Sequence, residues 1–372
     1  ARVDAQGGIP SRNPEELLEV LSLLTWAAAA LREADRSPGP AHLAAISRIA
    51  PTLRALRHAD GGLARFHGGG RGAEGRLDQA LAAAGVRAVA AAGRAMGYAR
   101  LSAGRTSVIV DVGPPPAESA SVNAHASTLA MELTSGRRPL VVSCGSGASF
   151  GAEWRRAGRA TQSHSTLAIE GCSSARLKAR AGLGRRMTEV LVDGPREVGL
   201  ERHSGPDGIS LVAWHDGYVR SHGLTHARRL ELSADGRQLG GEDTLGVFSD
   251  AHRKTFDKAM DRAKLQGIAY ALRFHLHPDV DAAIDMGGAA VSLALKSGEI
   301  WVFRHDGHAE LRVEPSVYLE KGRLKPRATR QILLSSRVLD TATQINWTLA
   351  KAQDTPQGVR DLVQDDDGPL SE

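Results

Sequence analysis

Aromatic residues make up only 4% of this 372-residue chain, and cysteine occurs twice. No run of 18 apolar residues is present, so no helix is long and apolar enough to cross a membrane. Two cysteines, Cys144 and Cys172, can form one disulfide at most, which is too few to staple a fold together. There is no RNA-binding aromatic motif, no zinc-finger spacing and no basic helical arm, which argues against nucleic acid as a partner. What the chain does have is a 42% apolar fraction, enough for sizeable cores, and a length that favours two domains. Its 47 basic and 42 acidic residues leave a net charge of +5. Mild basicity of that kind suits an acidic partner or simply serves solubility. The first residues, "ARVDAQGGIPSRNP", show no basic segment followed by an apolar stretch and no initiator Met. A fragment or processed form is therefore expected, and a periplasmic or cytoplasmic location is left open.

The pattern changes near residue 98. Before it, "NPEELLEVLSLLTWAAAALREA" places Leu17, Leu18, Leu21, Leu24 and Ala28 at helical spacing, with Asn13 as the cap and Pro14 in the first turn. A second helix, "PAHLAAISRIAPTLRALRH", puts Leu43, Ile46, Ile49, Leu53 and Leu56 on one face and predicts a bend at Pro51. The glycine-dense "ADGGLARFHGGGRG" follows, then an Ala-rich helix expected from about Arg76 to Ala92. "GGGRG" lacks the Lys-Ser/Thr of a phosphate loop, so nucleotide binding is not expected.

From Tyr98 onward, eleven apolar or alternating segments, from "TSVIVDVG" to "TQINWTLA", read as short strands closed by Gly, Asp or Pro turns. Their succession without βα units predicts an antiparallel β-sandwich. "DAHRKTFDKAMDRAKLQ" (250–266) reads as a charged insertion, a loop or short helix. The fold expected is thus α+β and multidomain. It comprises a helical segment over 1–97, a large antiparallel sandwich over 98–350, and an acidic, disordered tail over 351–372.

"NAHASTLAMELTSGRRPLVVSCG" followed by "WRRAGRATQSHSTLAIEG" resembles the sandwich domain of the heparinase II/III-like polysaccharide lyases, in order and spacing over about 50 residues. "YALRFHLHP" and "QILLSS…INW" extend the likeness, while "GGIPSRNPEELLEVL" and "LARFHGGG" resemble the last helices of the α/α toroid that precedes that sandwich. The resemblance implies a β-elimination on an acidic, uronate-containing polysaccharide such as a glycosaminoglycan or alginate. It also implies a structural zinc at the positions of His125, Ser143 and His164. Because Ser is a poor zinc ligand, the neighbouring Cys144 is the candidate third ligand, giving His125, Cys144 and His164. The other reading has both imidazoles hydrogen-bonding backbone between the sheets. The family's catalytic first His of His-x-His falls on Asn123, and two polar positions of its helical part fall on Ile9 and Glu16.

Elimination needs a neutralised carboxylate, a base for the proton alpha to it, and an acid for the leaving oxygen. Candidate catalytic groups are Asn13, His67, Tyr98 and Asn123, with Arg12, Arg155, Arg156 and Arg159 supplying charge for the substrate. Each has a structural reading beside it, Asn13 as a helix cap and Tyr98 as domain-boundary packing. Arg159 is expected to pair with a carboxylate or a strand-end carbonyl, with Trp154 packed nearby. His275 and His277 share a strand face, as metal ligands or as a polar seam. The changes at Asn123, Ile9 and Glu16 motivate the alternative of a catalytically silent, carbohydrate-binding or structural relative. With only three helices before Tyr98, exposed helical surface is expected to favour self-association.

Overall fold

The computed structural model describes residues 3–87, 90–91, 93–181 and 187–352. The acidic tail expected over 351–372 lies outside the described residues apart from Lys351 and Ala352, and Lys351 ends the last strand. Helix α1 (Pro14–Glu33) starts where Asn13 Oδ1 accepts the free N–H groups of Glu15 and Glu16, and it buries Leu17, Leu18, Leu21 and Ala28. Helix α2 (Pro40–Ala55) buries Ile46, Ile49 and Leu53 and carries Pro51 within it, while Leu43 in its first turn is left 40% exposed. Helix α3 (Arg76–Ala84) stops well short of the expected Ala92, because Gly85 turns left-handed at φ 63° and caps it. The three pack around one core with Leu56, Leu63 and Phe66.

Two large antiparallel sheets form the sandwich, one of nine strands and one of eight, among the described residues. In the first sheet, Tyr98–Ala103, Thr106–Asp111, Met131–Ser135 and Arg138–Val142 run side by side and continue into Ile268–Leu276, Arg327–Val338 and Glu310–Tyr318. In the second, Val280–Asp285, Ala290–Leu295, Ile300–His305, Ala342–Lys351, Gln238–Gly246, Leu224–Ser233, Gly208–Tyr218 and Val198–Gly205 are neighbours in that order. The scarce aromatics are concentrated between the sheets, where Phe274 lies 5.0 Å from Phe303 and 4.7 Å from Trp347, centroid to centroid.

"TSVIVD" is buried at every position because the first sheet is covered on both faces. Val108 and Val110 face the sandwich core, whereas Ser107, Ile109 and Asp111 face the helices, as the two-residue strand period dictates. Several strands escaped the apolar pattern. Val198–Gly205 is an exposed edge, Glu310–Tyr318 is a half-buried edge carrying alternating charges, and the exposed Arg176–Ala181 pairs in a separate two-stranded sheet with Met187–Val192, which buries Val190 and Leu191. The charged insertion is helical over Asp250–Arg262, capped by Ser249, and buries Phe256 and Ala259.

Candidate functional site

The helices meet the first sheet through two buried carboxylates. Glu132 accepts from His58 Nε2 (3.2 Å), Arg65 N (3.1 Å) and Arg65 Nη1 (3.3 Å). Asp111 accepts from Arg12 Nη2 (2.5 Å) and Ser127 Oγ (2.7 Å), and His67 Nε2 stands 3.4 Å away. Burial would raise the Asp111 carboxyl, but the Arg12 charge and His67 outweigh it and hold it well below the usual range. A buried carboxylate costs several kcal/mol unless it is paired in this way (about that size). Arg12 and His67 both sit in left-handed backbone, at φ 52° and 49°, which costs a side-chain-bearing residue about 1–2 kcal/mol.

Those contacts decide what Arg12 and Tyr98 do. Arg12 also donates to the carbonyls of Met96 (3.1 Å), Gly97 (2.8 Å) and Pro114 (2.7 Å), and its guanidinium lies 4.8 Å from the Tyr98 ring centre. Tyr98 donates its hydroxyl to Arg12 O at 2.6 Å. Both are engaged at the seam between the helices and the first sheet.

A row of three imidazoles runs from this seam into the sandwich. His125 N–H donates to His67 Nδ1 (3.1 Å), which places the His67 proton on Nε2, toward Asp111. The His67 and His125 rings are 6.4 Å apart, and those of His125 and His164 5.1 Å. His164 Nδ1 meets Ser143 Oγ at 2.9 Å, while His67 Nε2, His125 Nδ1 and His164 Nε2 have no hydrogen-bond partner among the described residues. Burial, reinforced by neighbouring imidazoles for His125 and His164 and by Arg12 for His67, lowers all three, His164 to about 3. The row is neutral at pH 7.

Cys144 does not join it. Ser143 and Cys144 follow the end of the strand Arg138–Val142; Ser143 meets His164, whereas Cys144 Sγ lies 3.4 Å from His275 Nδ1. Burial would raise this thiol, and His275 more than reverses that. His275 in turn meets Gln162 O and Ser316 Oγ, both at 2.9 Å. Two imidazoles and a hydroxyl are a poor zinc set, and among the described residues no three His, Cys, Asp or Glu are grouped to hold a metal ion. The residues here therefore do not fit a structural zinc. Cys144 and Cys172 are free thiols, not a disulfide. His277 lies against Tyr318 (5.2 Å between rings) and Asp279 (3.5 Å).

Above the histidine row lies a cleft of about 520 Å³ between α1 and the sandwich loops, lined by Asn13, Asn123, His125, Arg155 and Arg159 together with Glu16, Glu19 and Lys321. The glycine loop makes its floor, and it approaches too closely for side chains. A Cβ on Gly69 would fall 2.4 Å from Asn13 Oδ1, and one on Gly68 3.1 Å from Asn123. Helix α4 (Ala152–Gly158) carries Arg155, which donates to Val122 O (2.8 Å) and Asn123 Oδ1 (3.0 Å). Arg156 pairs with Glu189. Arg159 is held by the carbonyls of Ala124 (2.8 Å), Ser121 (2.8 Å) and Glu189 (3.1 Å), while Trp154 is 39% exposed. Glu15 bridges the cleft by accepting from Lys321 Nζ and Gly70 N, both at 2.8 Å. Sequence reasoning missed Asp111, Glu19 and Lys321. Asp111 ends an otherwise apolar strand, a polar residue at a core position that could have been flagged.

Residues 86–348 match the heparinase II/III-like C-terminal family. The chain belongs to the heparinase II/III-like family. Its sandwich and preceding helices superpose on a solved heparinase III with a TM-score of 0.70, at 13% identity, over 95% of this chain and 53% of that one. The mutant heparan sulfate lyase of Pedobacter heparinus gives a TM-score of 0.67, at 11% identity, over 94% of this chain and 53% of that one. At such identities the likeness is one of fold. A curated family relative, FtsZ-localized protein C of Caulobacter vibrioides, is 35% identical over 361 residues, 95% of this chain and 59% of that protein. This heparinase II/III-like chain thus spans a little over half the length of the proteins it matches.

Proposed function

We propose that this chain forms the saccharide-binding cleft of a heparinase II/III-like protein and that its role is binding rather than elimination. One observation carries this reading: the cleft offers recognition groups, while no tyrosine, the acid or base that elimination commonly uses, lines it. Asn123, Arg155 and Arg159 line it, yet all four tyrosines of the chain are buried, at 2% exposure or less. The imidazoles below it are held neutral, and His67 is already engaged with the His125 backbone and Asp111. A general base works best with a pKa near the operating pH, and these lie below it. The similarity to FtsZ-localized protein C supports localisation with FtsZ for the whole protein, which a fluorescent fusion imaged beside FtsZ would test.

Incubation with a panel of uronate polymers tests the main reading. We expect retardation in affinity electrophoresis and no ultraviolet absorbance from an unsaturated uronate. The second reading, a lyase, is favoured by the position of His125 on the cleft wall with a ring nitrogen unpartnered. Appearance of the chromophore, abolished by His125→Ala, would establish it and overturn the binding-only role.

A further inference from the structure

The cleft is lined by charge of both signs that is only partly paired among the described residues. On the α1 wall, Glu15 is taken by Lys321 and Gly70. Glu16 and Glu19 stand one helical turn apart, line the same cleft and are exposed, with no basic partner among the described residues. Compensation of the helix dipole accounts for an acid in the first turn, such as Glu16, but Glu19 lies beyond it. Facing them, Arg155 is bonded only to a carbonyl and an amide oxygen, and Arg159 only to carbonyls. Burial first, and the charge of Arg155 after it, push the Arg159 guanidinium down to about 10. Between the walls, His125 is 2% exposed, lines the cleft and keeps Nδ1 without a partner. This is a buried polar atom in a site that also has charge of both signs.

A uniformly anionic polymer would meet the arginines but would also meet two unpaired carboxylates. A ligand with an ammonium beside a carboxylate satisfies both walls at once. We propose that the cleft selects a saccharide bearing both a free amine and a carboxylate, with the ammonium on Glu16 and Glu19 and the carboxylate on Arg155. This rests on the binding reading above and names its ligand class. Specificity of this kind comes from the acidic wall, which repels the purely anionic competitor.

Calorimetric titration of the whole chain with two oligosaccharides tests it. Both alternate glucosamine and glucuronate; one is fully N-acetylated, and the other is the same oligomer after N-deacetylation. The deacetylated oligomer should bind about fivefold or more tightly than its parent, as expected of two exposed ion pairs. Glu16→Gln with Glu19→Gln should bring the two affinities together, and Arg155→Gln should weaken both. Thermal unfolding of each variant confirms that these surface positions leave the fold intact. Equal affinities in the unsubstituted chain, or a preference that survives the double substitution, would overturn the ligand class while leaving saccharide binding in place. Binding of neither oligomer would overturn the binding reading along with it.

Discussion

Two buried networks in this molecule use the same side chains and come to different ends. In the second sheet, Gly217 N–H donates to His215 Nδ1 (2.9 Å), so His215 Nε2 donates to His226 Nδ1 (3.3 Å) and His226 Nε2 to Asp243 Oδ1 (2.8 Å). Arg228 and Trp347 complete the Asp243 carboxylate at 2.8 and 2.9 Å, and Arg228 also holds the carbonyls of Leu129 and Ser165. At the seam, His67, His125 and His164 with Asp111 and Arg12 repeat this cast, but the His67–Asp111 contact is a long 3.4 Å, and His67 Nε2, His125 Nδ1 and His164 Nε2 have no hydrogen-bond partner among the described residues. Closed hydrogen bonding marks a structural network, whereas unused polar capacity beside a cleft marks a site kept for something else. The closed network also supports the open one, since Leu129 and Ser165 flank the segments that carry His125 and His164.

Breaking the closed network should have the largest effect. Asp243→Asn strands Arg228 in a dry interior and should cost about 3–5 kcal/mol in denaturant unfolding. A loss under about 1 kcal/mol would mean that the two networks are energetically alike.

Acid should act next, and through both. His164 is lowered from its ordinary value to about 3, so between those values the unfolded chain binds the proton and the folded chain does not. Stability is therefore full above about pH 6.5 and falls as pH drops toward 3, by up to about 1.4 kcal/mol per pH unit for one such group. His164→Gln should flatten that slope in unfolding midpoints measured from pH 7 to 5. Asp243, lowered to about 2, keeps its contribution above about pH 4 and loses it only below. A slope unchanged by the substitution would show that His164 is not held neutral.

The open network should separate stability from binding. His125→Ala removes an imbalanced polar group, and we expect a stability change within about 1 kcal/mol but a clear loss of saccharide affinity. The smallest effect belongs to the exposed bridge across the cleft. Lys321→Ala should cost about 0.5 kcal/mol, and less at high salt. A larger, salt-independent loss would mean that this bridge holds the cleft walls together.

Much of the fold was legible because its signals are local. Asn13-Pro14 capped a helix, strand alternation announced the sandwich, and the spacing of His125 and His164 pointed to the family. The site was less legible. Tyr98, Arg12 and Asn13 have the right chemistry for elimination, yet each is tied to the seam or a helix end by contacts that span up to about a hundred residues of chain or only two. The edge strands were missed because partial burial leaves them without an apolar period.

By itself the sequence determined the first two helices, most of the apolar strands, the family and the inventory of polar groups, since backbone periodicity and capping act within a few residues. Only the tertiary structure decided which of those groups are used up. Just past the strand Arg138–Val142, Ser143 meets His164 and Cys144 meets His275, two partners that distant parts of the chain bring there. The same holds for charge. Glu15 is paired and Glu19 is not because Lys321, about three hundred residues away along the chain, packs over one and not the other.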